Sequence, residues 1–226
     1  MIRLRIVAAT CLRMTRWTAV AMCFAGAAAL ATDLDVNVHD RNGQSLSQVV
    51  VLLEAIESGS EKAPAPSIAV VDQLHQQFVP GVIAVRVGTA ISFPNSDSVS
   101  HQVYSFSPAK RFELGLYRGV PRDPVVFDKP GIVVLGCNIH DNMIGYVYVT
   151  DAQYFGTTDE NGHFRASISP GKYRVRVWNP RFSKADNASE RALQVDGEAS
   201  MSLPIAVASS VRAKDTEQQA RRLRDY

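Results

Sequence analysis

The sequence predicts an all-β protein built from antiparallel strands. From Leu34 onward, apolar and polar residues alternate in short runs, and Gly, Pro, Asn and Asp interrupt these runs. The one good helical pattern is a charged tail at residues 209–226. The chain has 226 residues, of which 46% are hydrophobic and 20% charged, so it can form one large core or two small ones.

A distinct leader precedes this alternating region. Four arginines lie within the first 16 residues, and a short apolar run at 18–30 ends in Ala29-Leu30-Ala31. This order is typical of a secretory signal peptide, so we predict that residues 1–31 are removed near Ala31 and that the product is periplasmic. The apolar run is too short to cross a bilayer and no longer run follows it, so no membrane span is expected.

The leader carries four of the 24 basic residues of the chain and two of its three cysteines. Without the four arginines, the formal net charge of +2 becomes slightly negative, so nucleic-acid binding has no electrostatic support. Cys11 and Cys23 are removed with the leader, which leaves Cys137 as the one thiol of the exported chain. An unpaired thiol in an oxidising compartment is buried and inert, paired between chains, or bound to a metal.

Turn residues divide the mature chain into three blocks. Residues 34–57 are predicted to form a hairpin around a turn at Asn42-Gly43, and a Ser/Gly/Pro-rich linker at 58–66 follows. Residues 67–150 are the largest block, and residues 155–207 are the last one before the tail. The predicted strands beyond the first block lie at 68–71, 82–87, 90–93, 102–106, 132–135, 146–149, 164–168 and 173–178.

Cys137 stands in a loop with two other potential metal ligands. The loop reads GCNIHDNM at residues 136–143 and lies between two predicted strands, so Cys137, His140 and Met143 are held close together. His101 opens another predicted strand. One cysteine, two histidines and a methionine form the ligand set of a trigonal copper site with a weak axial Met. A buried cysteine and methionine are common core residues when they occur singly, but this combination favours copper.

Residues 67–150 resemble a cupredoxin. The Cys-x2-His-x2-Met spacing is the one seen in amicyanin, and FPNSDSVSH at residues 93–101 is similar to the loop that carries the first histidine in plastocyanin-like proteins. The resemblance implies a Greek-key β-sandwich that binds one type 1 copper. His101 and His140 would be the imidazole ligands, Cys137 the thiolate and Met143 the axial ligand.

The loop sequences also depart from this resemblance. Ile139 and Asp141 occupy positions where amicyanin-like loops have prolines, which leaves the reduction potential of the site open. Gln102 stands where a shorter amide often braces the two ligand loops, so that brace is in doubt.

The first and third blocks together resemble a carboxypeptidase-regulatory-like or transthyretin-like β-sandwich module. A hairpin at residues 34–57 alone is marginal in water, and residues 155–207 look like the same module without its first strands. We therefore expect the cupredoxin sandwich to be inserted in a second small β-sandwich. In the alternative arrangement the domains are consecutive, and residues 34–56 add strands to the copper sandwich.

The resemblance implies an electron carrier and not an enzyme. Such a protein cycles between Cu(I) and Cu(II) and exchanges electrons with exported redox proteins, and the likeness to amicyanin suggests a chain that oxidises amines. Oxidases of the multicopper kind have histidines on both sides of the cysteine, where this chain has Gly136 and Asn138. A non-catalytic copper-handling or protein-binding module remains an alternative.

His39, His75 and His163 occur singly near turn residues and are predicted to be surface histidines.

Overall fold

The computed structural model describes residues 31–56, 68–121, 123–187 and 189–208. The predicted signal peptide (apart from Ala31), the predicted linker and the charged tail lie outside the described residues. The all-β prediction is confirmed, because the described chain forms strands in several sheets and one helix of four residues. Every strand-like run predicted beyond the first block overlaps an observed strand. Within the described residues, no helix has the length and apolar character needed to cross a membrane.

The elements follow in chain order. The strands are β1 (Thr32–Asp40), β2 (Val50–Ala55), β3 (Ile68–Val70), β4 (Asp72–Leu74), β5 (Gln77–Val79), β6 (Val82–Arg86), β7 (Thr89–Ser92), β8 (His101–Ser107), β9 (Lys110–Tyr117), β10 (Val125–Phe127), β11 (Gly131–Gly136), β12 (Ile144–Thr150), β13 (Tyr154–Thr157), β14 (His163–Ile168), β15 (Gly171–Trp178), β16 (Glu190–Val195) and β17 (Ser200–Val207), and the helix α1 is Lys184–Asn187.

Strands from the two ends of the chain share one core. One sheet has the order β14-β1-β17 and another has the order β13-β2-β15-β16. Alternate residues of β1 are buried, as expected for a strand with one face on a core. The apolar residues that meet between these two sheets include Leu34, Val36, Val38, Val51, Leu53, Phe164, Val175 and Ile205.

The predicted pairing of the first hairpin is wrong. The turn at Asn42-Gly43 is present, with Gly43 at φ 79° and its N–H donating to the Asp40 carbonyl at 3.0 Å. However, β1 pairs with β14 and β17, whereas β2 pairs with β13 and β15. The reason is that β2 is apolar on both faces, so it needs a central position covered on both sides, which a two-stranded hairpin cannot provide.

The strands between β3 and β12 enclose a separate core. A five-stranded sheet has the order β6-β12-β11-β8-β9, a three-stranded sheet has the order β10-β7-β3, and β4 and β5 form a small hairpin. Parallel pairing of β6 with β12 and antiparallel pairing of β11 with both β12 and β8 place the ends of β8 and β11 side by side. The buried residues of this core include Val71, Phe78, Ile91, Phe93, Val103, Phe127, Val133, Leu135, Val147 and Val149.

A third apolar cluster joins the two cores. Trp178 at the end of β15 packs against Tyr146 and Tyr148 of β12, with ring centroids 5.9 and 5.4 Å apart. Val50 and Leu52, on the outer face of β2, belong to the same cluster. The second sandwich therefore covers the outer face of the five-stranded sheet at β12 and β6.

Candidate metal centre

The register of β8, β11 and β12 brings three of the four predicted ligands together. His101 begins β8, Cys137 follows the last residue of β11, and His140 lies in the turn before β12. The Nδ1 atoms of His101 and His140 both lie 3.9 Å from the Cys137 Sγ. Potential ligand atoms of the three residues lie within 4.8 Å of one another, and no other such group of three occurs in the described part of the chain. The geometry therefore fits a single ion between two imidazoles and a thiolate.

The three side chains differ in their access to solvent. His101 is 0% exposed and Cys137 is 4% exposed, whereas His140 is only partly buried. Cys137 has no disulfide partner. A buried thiolate would be costly without a compensating charge, and a bound cation would supply one. The site is thus closed on the side of His101 and open on the side of His140.

Met143 lies in the same buried cluster as Cys137. Its side chain is 1% exposed, and its backbone N–H donates to the His140 carbonyl at 2.9 Å, which closes the loop between the ligands. This position is compatible with an axial ligand and with core packing. The axial role of Met143 therefore stays a prediction.

The amide brace that the sequence left in doubt is formed by longer side chains. Asn138, next to Cys137, donates through Nδ2 to the Gln102 Oε1 at 2.8 Å, and Gln102 follows His101 directly. The Gln102 Nε2 donates in turn to the Glu113 Oε1 at 2.6 Å on β9. Because Asn138 reaches across, Gln102 connects the two ligand segments despite its extra methylene.

Asp97 is a site residue to which the sequence analysis gave no role. Its Oδ2 lies 2.7 Å from the His101 Nε2. Burial raises the pKa of the Asp97 carboxyl, but the backbone N–H groups of Gln76 and His75 and the ring of His101 outweigh this effect and lower the pKa overall. An ionised Asp97 accepts a hydrogen bond from Nε2–H, which leaves Nδ1 without a proton and its lone pair free on the side of Cys137. The signal available in the sequence was an acidic residue four positions before a ligand histidine.

A glycine makes room for an aromatic ring beside the thiol. A Cβ at Gly136 would lie 2.7 Å from the Tyr104 Cζ, so only glycine admits the Tyr104 ring at this position. Tyr104 and Phe106 form one wall of an open groove of about 460 Å³ that reaches Cys137 and Met143. This flank of the site is therefore partly open and has both apolar and polar lining residues.

The remaining histidines stand apart from this centre. His163 is half-buried, and its two ring nitrogens lie 2.8 Å from the Asp35 Oδ1 and 3.0 Å from the Asn37 Nδ2. His75 and His39 are also half-buried, and neither belongs to a group of three potential metal ligands among the described residues. All three of these histidines are partly exposed to solvent.

The donor set itself fits copper. Two imidazole nitrogens and one thiolate around a common point, with a thioether close by in sequence, suit Cu(I) and Cu(II) better than the oxygen-preferring Mg²⁺ and Ca²⁺. Tetrahedral zinc also takes nitrogen and sulfur ligands, but a methionine thioether is a soft ligand typical of copper. His101, Cys137 and His140 are the residues that would hold the ion.

Comparison with known proteins gives partial likenesses to solved structures. No family model and no curated protein matches this chain. A copper-containing nitrite reductase from Thermus scotoductus is 24% identical with a TM-score of 0.35, over 43% of this chain and 25% of that one, so this chain spans about a quarter of its length. A purple cupredoxin from Nitrosopumilus maritimus is 22% identical with a TM-score of 0.32, over 37% of this chain and 99% of that one. A reduced amicyanin mutant is 20% identical with a TM-score of 0.34, over 44% of this chain and 99% of that one.

Proposed function

We propose that this chain is a single-copper electron-transfer protein whose metal is held by His101, Cys137, His140 and Met143. The observation that carries the proposal is the position of two imidazole Nδ1 atoms, each 3.9 Å from one buried, unpaired Cys137 Sγ. This arrangement corresponds to the two imidazoles and one thiolate of a type 1 copper site.

The protein's contribution is to hold the ligands still. When bound, copper supplies a one-electron change between Cu(I) and Cu(II), and the two states prefer different geometries. The ends of β8 and β11 fix His101 and Cys137, and the Asn138–Gln102 hydrogen bond ties their loops together. Ligands that cannot relax between the two geometries keep the reorganisation small, which favours fast electron transfer.

The expected partners and compartment belong to the same proposal. Electron donor and acceptor would be exported redox proteins, the mature chain would be periplasmic, and an amine-oxidising chain is one setting for it. We also propose that the copper sandwich at residues 67–150 is an insertion in the second sandwich. The pairing of β1 with β14 and of β2 with β15 supports this division.

The proposed function can be tested directly on residues 32–226. We expect the purified protein to bind one equivalent of Cu(II), to show an intense visible absorption band, and to lose and regain the band through repeated reduction and oxidation. A protein that binds copper but passes it irreversibly to a chelator, without redox cycling, would instead be a copper-handling module. Binding of zinc in preference to copper would contradict the proposal.

Replacing Met143 with glutamine is expected to keep copper bound and to lower the reduction potential. A harder oxygen ligand favours Cu(II) over Cu(I), so reduction becomes less favourable. Protein-film voltammetry measures the shift. Met201→Gln on β17 makes the same chemical change in the other sandwich and should leave the potential unchanged. An unchanged potential in Met143→Gln would mean that Met143 is a core residue only.

Electron exchange is expected at the exposed edge of His140. Ile144 is 51% exposed and begins β12, four residues after His140, and a glutamate there would be buried without a partner when a redox protein docks at this site. Such burial costs on the order of 1–3 kcal/mol, which corresponds to a drop of roughly 5- to 150-fold in the second-order rate constant. Stopped-flow reduction by a redox protein measures this rate.

A matched control for this variant is available on the neighbouring strand. Ile132→Glu changes an isoleucine that is 38% exposed at the far end of β11 and should leave the rate unchanged. The visible band should persist in both variants. Equal rates for Ile144→Glu and the unmodified protein would place the electron entry elsewhere on the surface.

A further inference from the structure

The hydrogen-bond partner of the buried histidine is itself held by a distant hairpin. The Asp97 Oδ1 accepts from the His75 N–H at 2.8 Å, and the Asp97 Oδ2 accepts from the Gln76 N–H at 2.8 Å. The same Oδ2 lies 2.7 Å from the His101 Nε2. The carboxylate is only 12% exposed, so these contacts are poorly screened by solvent. One carboxylate thus connects the β4–β5 turn to a candidate metal ligand.

The turn that holds Asp97 has an unusual backbone for its residues. His75 and Gln76 form the two-residue connection between β4 and β5, and both have positive φ, 52° and 56°. Such turns normally contain Asn-Gly or a similar pair, because other side chains are strained in this region. Strained backbone persists where surrounding contacts determine it, and it is enriched at functional sites. Here the strained turn directs two successive N–H groups at one carboxylate.

The loop that carries Asp97 is also fixed at its own ends. The Asp97 N–H donates to the Asn95 Oδ1 at 3.0 Å, and the Asn95 Nδ2 donates to the carbonyls of Val99 and Tyr117 at 3.0 and 2.8 Å. Asn95 is buried. The backbone of Asp97 is therefore held independently of the contact that its carboxylate makes with His101.

We propose that Asp97 is a positioning residue of the metal centre, which fixes the ring orientation and tautomer of His101 and lowers the reduction potential of bound copper. The inference rests on the proposed copper site. A carboxylate that accepts from Nε2–H keeps that proton on Nε2 and directs Nδ1 at the metal. Its negative charge, transmitted through the imidazole, stabilises Cu(II) relative to Cu(I). The β4–β5 hairpin would thereby set the potential although none of its residues is a ligand.

Two variants separate the charge of Asp97 from its hydrogen bond. Asp97→Asn keeps an oxygen acceptor for Nε2–H but removes the charge, so the potential is expected to rise while copper stays bound. Asp97→Ala removes both, and the affinity for Cu(II) is expected to fall about 10–100-fold, as for other partners of metal-bound histidines. Voltammetry and competition with a chelator measure the two effects.

Asp72 supplies a matched control on the same hairpin. Its carboxylate also accepts from backbone N–H groups, those of Gln73 and Ser96, and from the Ser96 hydroxyl at 2.7 Å, but no contact with His101 is formed. Asp72→Asn is expected to leave the potential unchanged. If Asp72→Asn and Asp97→Asn shift the potential equally, the effect is a general charge effect and the proposal is overturned.

A measurement without copper keeps this inference separate from the proposed function. In the metal-free protein, nitrogen NMR should find the His101 proton on Nε2, and Asp97→Ala should give a mixture of tautomers. A single Nε2–H tautomer in Asp97→Ala would overturn the positioning role whether or not copper binds. Failure of the unmodified protein to bind copper, with the tautomer shift present, would contradict the copper site and leave the positioning of His101 by Asp97 established.

Discussion

A Cys137→Ser variant loaded with Cu(II) is expected to be colourless in the visible range. The intense band of a type 1 site arises from charge transfer out of a thiolate, and a serine hydroxyl cannot replace that donor. The affinity for Cu(II) should fall by more than the roughly 100-fold that loss of an outer-shell partner costs, because a direct ligand is removed. Absorption spectra and chelator competition on the purified variant measure both quantities.

A variant in the same loop controls for disruption of the site. Asn138→Ala removes the hydrogen bond to Gln102 but keeps the thiol next to it, so the band should persist. Serine is close to cysteine in size, so the strand content of Cys137→Ser should be unchanged by circular dichroism. A copper-bound Cys137→Ser that keeps the band would rule out Cys137 as the coloured ligand.

Replacing Trp178 with alanine is expected to reduce the free energy of unfolding by about 3–5 kcal/mol, the usual cost of removing a large buried aromatic side chain. Trp178 is 9% exposed and packs against Tyr146 and Tyr148, where the two cores meet. Denaturant unfolding followed by circular dichroism measures the loss. Because the junction is weakened, the two cores should also unfold at more clearly separated denaturant concentrations than in the unmodified protein.

An exposed aromatic residue gives the matched control for this loss. Phe106→Ala removes a ring that is 68% exposed on the outer face of the same sheet, and it should change the free energy of unfolding by less than about 0.5 kcal/mol. If Trp178→Ala were equally mild, the junction would contribute little to stability, and the two sandwiches would be independent units.

The parts of the candidate site that are local in sequence could be predicted from it. Cys137, His140 and Met143 lie in one short loop between strands, so their spacing alone brought them together. His101 was identified by its place at the start of a strand, and the register of β8 with β11 brings it to Cys137. The hydrogen bonds from the backbone of His75 and Gln76 to Asp97 could not be predicted, because they depend on a turn whose residues do not have the usual composition of such turns.

Two errors in the predicted fold both concern how far a strand is buried. The strand β9 was missed because most of its residues are exposed or half-buried at a sheet edge, where no strong apolar pattern is required. The pairing of β1 with β2 was predicted from the turn signal at Asn42-Gly43 between them. In the structure, the burial of both faces of β2 determines its neighbours, and these come from the far end of the chain.

The parallel pairing of β1 with β17 has a consequence for the order of folding. Thr32–Asp40 and Ser200–Val207 are the first and last strands described, so their sheet closes only when almost the whole chain is present. Contacts this distant in sequence carry a large loop-closure entropy and form slowly, whereas β8, β9, β11 and β12 pair over shorter separations. During refolding, β8 and β11 should therefore gain protection from hydrogen exchange before β1 and β17 do. Until that last step, the apolar face of β2 that packs against β1 and β17 stays uncovered, so aggregation in this interval is a greater hazard than unfolding of the finished protein.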